Sequence, residues 1–129
     1  MRNKQKRFFP LISCGILLFS SALIHGQVRE VKIKSSIDGS DQPAYFFSPS
    51  DTEKAVPLLV ALHTWSGNYK QKYHKPIEEH CIRKNWAYMH PDFRGANRNQ
   101  QATGSELAVQ DVLDAVAYAK EHAKVDEKQ

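Results

Sequence analysis

Cysteine is nearly absent from this chain, which has two in 129 residues, Cys14 and Cys81. Cys14 lies in an N-terminal apolar segment, so a processed chain keeps only Cys81 and can form no internal disulfide, even in an oxidising compartment. Cys81 therefore reads as a small core residue of a helix. Also missing is an uninterrupted apolar run of about 20 residues, the length of a comfortable membrane span. No acidic residue precedes residue 27. Arg2, Lys4, Lys6 and Arg7 open the chain, and an apolar segment broken by Pro10 runs from Phe8 to about Ile24. A basic start, a short apolar core and small residues behind it make a secretory signal peptide, assigned to residues 1–26. An uncleaved anchor is the alternative. The expected location is secreted or periplasmic.

That leader also decides how charge is read. Of 18 basic and 14 acidic residues, four basic and no acidic ones precede residue 27, which leaves 14 of each. The high isoelectric point belongs to the targeting segment and gives no reason to expect a nucleic-acid partner. No membrane contact is expected after signal cleavage. His74, His80 and His90 match no compact ligand spacing, so they read as surface or helix-face residues. No metal and no other cofactor is expected. Internal repeats and low-complexity stretches are absent as well.

What the chain does have centres on Leu58–Gly67, LLVALHTWSG. The run from Leu58 to His63 lacks polar alternation and lies between Pro57 and the turn cluster Ser66-Gly67-Asn68, as a strand buried on both faces would. In open α/β sheets, ligands bind at the C-terminal ends of such strands. Ahead of it, Val28–Ile37 and Ala44–Ser48 flank the turn cluster Asp38-Gly39-Ser40-Asp41, which predicts an antiparallel hairpin. Behind it, Pro76–Lys84 has helical spacing with Pro76 at a first helical position. Trp86–His90 reads as a strand stopped by Pro91, and Asp92–Gly104 as a loop. A longer helix follows, with Thr103 and Glu106 in capping-box relation and an apolar stripe of Val109, Val112, Leu113 and Val116. The order strand, helix, strand implies a parallel pair with a right-handed crossover. The last helix has no strand to return to.

Leu58–Gly67, Pro91–Ala96 (PDFRGA) and Thr103–Ala119 (TGSELAVQDVLDAVAYA), in this order after the hairpin, resemble the N-terminal part of an α/β-hydrolase domain. More narrowly, they resemble the prolyl oligopeptidase-like serine hydrolases. The resemblance implies an α/β class and an incomplete α/β-hydrolase fold over residues 27–129, with an opening β-hairpin, then parallel β-α-β-α, ending before the nucleophile-elbow strand. It implies a peptide or ester substrate and a Ser-His-Asp mechanism in an intact parent. The loop after the third strand, His63-Thr64-Trp65-Ser66-Gly67, would then supply an oxyanion-hole donor from the backbone of Thr64 or Trp65. Thr64 stands where the family usually has glycine. Trp65 is also the substrate-pocket candidate. Asp92 and Arg94 match the family's Asp-x-Arg-Gly signature and are assigned to loop architecture, with Arg94 pairing to a carboxylate.

The family's Gly-x-Ser-x-Gly nucleophile motif occurs nowhere in this sequence. His63 and Ser66 are three residues apart, but a strand end and its adjoining turn do not make a nucleophile–base pair, so Ser66 reads as a turn residue. The chain is therefore expected to be inactive by itself. The alternative is a secreted, non-catalytic binding protein on a truncated hydrolase scaffold.

Overall fold

The computed structural model describes residues 26–50 and 52–128; the signal-peptide assignment, Cys14 included, lies almost wholly outside them. Four strands form one sheet in the order β1-β2-β4-β3. β1 (Arg29–Lys34) and β2 (Asp41–Phe47) pair antiparallel, with Val31 opposite Ala44. The turn between them closes on Asp38, whose carboxylate accepts from the Ser40 N–H at 3.0 Å and the Ser40 hydroxyl at 2.7 Å. β2 pairs antiparallel with β4 (Ala87–Pro91), and β4 pairs parallel with β3 (Leu58–Val60). The expected hairpin and parallel pair are both present.

Two helices cover opposite faces. α1 (Lys75–Lys84) connects β3 to β4 and starts with Pro76 in its first turn. It ends at Asn85, which takes the left-handed conformation at φ 57°, tolerated by asparagine better than by most residues. The Trp86 N–H then reaches back to the Cys81 carbonyl at 2.9 Å, closing the helix end. Under α1, Phe47, Ala61, Cys81 and Tyr88 form one core cluster. Cys81 is fully buried there, as the sequence implied.

α2 (Glu106–His122) covers the other face, over Ile33, Ala44, Phe46 and Met89. Two sequence expectations need correction here. The helix is capped by Ser105, whose side chain accepts from the Ala108 N–H at 3.1 Å. Thr103 instead donates its hydroxyl to the Asn99 carbonyl, two residues ahead of the cap. The buried face is Ala108, Asp111, Ala115 and Ala119, whereas Val109 and Leu113 are 55% and 54% exposed. Alanine lets the helix backbone approach the large Phe46 and Met89 side chains, so the smallest residues face the sheet and the branched ones do not.

β3 also departs from expectation. It is three residues long and half-buried, and the fully buried strand is β4. β3 is an edge strand, which leaves one side of it without a strand neighbour among the described residues.

Candidate functional site

The C-terminal ends of β3 and β4 lie side by side, and their loops lock together. Ala61 extends the parallel ladder by donating to the Met89 carbonyl at 2.8 Å. Two residues on, His63 is buried, and its Nε2 lies 2.7 Å from the Asp92 carbonyl oxygen. Its Nδ1 lies 3.0 Å from the Thr64 carbonyl oxygen, and its ring stacks on Phe93 with centroids 4.0 Å apart. A neutral imidazole carries one N–H, and donated from Nε2 it ties the end of β3 to the loop after β4, with no hydrogen bond to Ser66.

The loop after β3 is a tight turn in which the Gly67 N–H donates to the Thr64 carbonyl at 2.9 Å. Gln71 braces it from outside. Its Oε1 accepts from the Thr64 N–H at 2.9 Å, and its Nε2 donates to the Thr64 hydroxyl at 2.7 Å. A side chain at Gly67 would collide with the same Gln71, since a Cβ there would lie 2.5 Å from Oε1. The Trp65 carbonyl accepts from the Asn97 N–H at 2.8 Å, tying this turn to the loop after β4. The Trp65 N–H meets no acceptor among the described residues, and its side chain is 66% exposed. Ser66 is exposed in the turn.

The loop after β4 is held as firmly. Asp92 accepts from the Tyr69 N–H at 3.2 Å, and its carbonyl accepts from the Gly95 N–H at 2.9 Å. Phe93, Arg94 and Gly95 all take positive φ values (32°, 79° and 71°), a turn the first two residues adopt only under constraint. The constraint is the Arg94 side chain. Its Nε donates to Asp111 Oδ2 at 2.5 Å, Nη1 to Asp38 Oδ2 at 2.8 Å and Nη2 to the Ser35 hydroxyl at 3.0 Å. Arg94 therefore binds the β1–β2 turn, the β4 loop and α2 into one unit. The bonds from Arg94, and then those from Ser40, hold the Asp38 carboxyl well below the usual range. The Asp38 and Asp111 partners in turn raise the pKa of the Arg94 guanidinium.

Solved structures share this arrangement of strands and helices. No protein-family profile and no curated protein matches the chain. Est1E from Butyrivibrio proteoclasticus is 21% identical, with a TM-score of 0.57 over 75% of this chain and 37% of its own. The S-formylglutathione hydrolase FrmB from Staphylococcus aureus is 18% identical, with a TM-score of 0.63 over 81% of this chain and 45% of its own. The chain carries part of an α/β-hydrolase fold. Pyrococcus horikoshii acylaminoacyl peptidase is 19% identical, with a TM-score of 0.60 over 81% of this chain and 18% of its own. The chain thus spans less than half the length of each of these structures.

The two residues singled out from sequence, Thr64 and Trp65, lie together in the turn after β3, beside the loop after β4. Gln71, Asn97 and Asp111 hold these loops and were not singled out from sequence. Asp111 was legible only as a polar residue of α2, because its partner Arg94 is 17 positions away. His90 is another correction, being buried at the end of β4 and not on the surface.

Proposed function

We propose that this chain is the N-terminal portion of a secreted serine hydrolase of the prolyl oligopeptidase-like kind, acting on peptide or ester bonds. One observation carries the reading. After α2, the chain returns to the open side of β3, where Val56 and Val125 form a parallel bridge. The Val56 N–H donates to the Lys124 carbonyl at 2.9 Å, and the Asp126 N–H to the Val56 carbonyl at 2.8 Å. Neighbouring Pro57 turns its carbonyl the other way, to the Ala87 N–H of β4. Polypeptide following this point is thereby delivered to the unpaired edge of β3, where a further parallel strand would end beside the Thr64–Gly67 turn. A nucleophilic serine at the end of that strand would face this turn.

The turn's contribution is a backbone donor for the oxygen that becomes negative as the acyl carbon turns tetrahedral. Such a donor is worth about 3–4 kcal/mol of barrier. The Thr64 N–H is occupied by Gln71, which favours the Trp65 N–H for this role. The Trp65 ring is exposed and so free to contact an acyl or proline group of the substrate. Serine, histidine and aspartate of the triad come from elsewhere, so the chain alone is inactive, because loss of the triad leaves only residual catalysis.

Treating the purified chain with a fluorophosphonate tests the inactivity, with no covalent adduct expected. Labelling of Ser66, or of any other serine, would overturn it. Sequencing the gene beyond the codon for Gln129 tests the parentage, with a strand followed by Gly-x-Ser-x-Gly as the expected result.

A further inference from the structure

The open side of β3 is apolar on both faces of the sheet. Pro57 turns its carbonyl to β4, and Ala61 turns its N–H the same way. Main-chain groups alternate along an extended strand, so those of Leu58 and Val60 point outward, where no strand lies among the described residues. Val56 points outward too, but it is already bonded to Lys124 and Asp126. The open stretch is therefore Leu58–Leu62.

Two clefts flank it. On the α1 face, Leu59, Val60, Ala61, Pro76 and Ile77 line one of about 420 Å³, together with His74 and His80. On the α2 face, Leu62, Phe93, Val109, Val112 and Leu113 line one of about 320 Å³, with Asn97 its polar side chain. No carboxylate, ammonium or guanidinium lines either cleft. Seven large hydrophobic residues are exposed among the described residues, and Leu62, Ile77, Val109 and Leu113 of them stand in these two clefts. Exposure is thus concentrated on one side of the molecule. Edge strands normally carry charge or proline that blocks pairing. The opposite edge does so, since β1 holds Arg29, Glu30, Lys32 and Lys34. Leu58-Leu59-Val60-Ala61-Leu62 holds neither.

We propose that the chain pairs with a second copy of itself through this edge, β3 against β3, antiparallel about a two-fold axis perpendicular to the sheet. With the axis at Val60, the two Val60 residues exchange main-chain hydrogen bonds, and Leu58 stands opposite Leu62 of the other copy. Such an axis keeps each face of the sheet on its own side. The α2 cleft therefore meets the α2 cleft of the other copy, and likewise for α1, so apolar surface covers apolar surface. An uncharged strand meets its own copy without repulsion, which the charged β1 edge would not. The area is also sufficient. Five strand residues reach about 16 Å and the length of α2 about 25 Å, and helix, sheet and helix stack to about 30 Å. Pairing along that side removes roughly 500–750 Å² from each copy, close to the standard of about 800 Å². In a longer parent, the further strand proposed above would compete for the same edge.

Sedimentation of the 129-residue chain over a concentration series, combined with amide hydrogen exchange, tests this. The expected result is a monomer–dimer equilibrium that stops at twice the chain mass. The Leu58 and Val60 amides should exchange several-fold more slowly as concentration rises, with β1 amides unchanged. Val60→Pro removes an N–H that faces outward and spares the β4 ladder, so it should keep the chain monomeric with its circular dichroism spectrum intact. Leu62→Lys, a change at an exposed position, puts a charge in the seam and should weaken the dimer several-fold. A chain that stays monomeric at millimolar concentration would overturn the proposal. So would assembly that grows past the dimer, or a dimer that both variants and the two amides leave unmarked. None of these outcomes bears on the hydrolase reading.

Discussion

Arg94 and Asp111 meet side-on, with Nε 2.5 Å from Oδ2 and Nη2 3.1 Å from Oδ1, and their side chains are 7% and 0% exposed. The pair joins the loop after β4 to the middle of α2, and Arg94 also reaches Asp38 in the β1–β2 turn. Because Phe93 and Arg94 themselves take positive φ, the loop that carries Asp92 depends on this anchor. His63 and Tyr69 bond to Asp92, so the anchor also fixes the turn proposed to face a substrate.

Replacing one member of the pair strands the other. Asp111→Asn removes the buried carboxylate and leaves the guanidinium with Asp38 and the Ser35 hydroxyl. Breaking such a pair costs about 3–5 kcal/mol, and the remaining partner places this variant at the lower end. Urea unfolding followed by circular dichroism measures the loss. An unchanged midpoint would show that Arg94 finds compensation elsewhere.

Acid should weaken the fold in two stages. Burial, then the charges of His74 and His63, lower the His90 pKa from 6.5 to about 4. Between those values the unfolded chain binds a proton that the folded chain does not, so stability falls as pH drops through this window and is intact above it. The shift corresponds to roughly 3 kcal/mol. Below it, Asp38, Asp41 and Asp114, all with lowered pKa values, extend the loss as they protonate. Unfolding free energies measured from pH 7 to pH 4 should show the first slope, and His90→Gln should flatten it.

The start of α2 separates two neighbouring hydroxyls. Ser105→Ala removes the cap on the Ala108 N–H and should cost about 1 kcal/mol. Thr103→Ala loses only an exposed bond to the Asn99 carbonyl and should cost less than half as much. Paired thermal melts distinguish them, and equal losses would return the capping role to Thr103.

The outer face of α2 should govern self-association. Leu62, Val109 and Leu113 line an apolar cleft of about 320 Å³, and all three are roughly half exposed. Together with the open edge of β3 this is a surface for unwanted pairing. Leu113→Lys should shift the chain toward monomer in light scattering while changing stability by no more than about 0.5 kcal/mol. Unaltered association would place the contact elsewhere.

Much of the fold was legible because local rules and the tertiary outcome agree. Asp38-Gly39 turns the hairpin, Pro76 opens α1 and Asn85 closes it, each through backbone geometry that its own side chain favours. The α2 stripe was misread because hydrophobicity ranks Val109 and Leu113 above Ala108 and Ala115, whereas packing against Phe46 and Met89 rewards small size. β3 was read as buried on both faces from its apolar run, but burial depends on neighbours, and its position at the sheet edge leaves it half-covered.

For Leu58–Gly67, the sequence by itself determined a strand and a turn, since these follow from apolar runs and breakers in one continuous stretch. Tertiary structure alone decided what each group faces. Gln71 takes the Thr64 amide, Asn97 takes the Trp65 carbonyl, and Asp92 takes His63. It also brought Tyr88 and His90 of β4 close to Lys70, Lys72 and Lys75 around one cavity. Hydrogen bonds between residues far apart in sequence leave no periodic trace in the chain. They exist only once the sheet has set the two strand ends side by side.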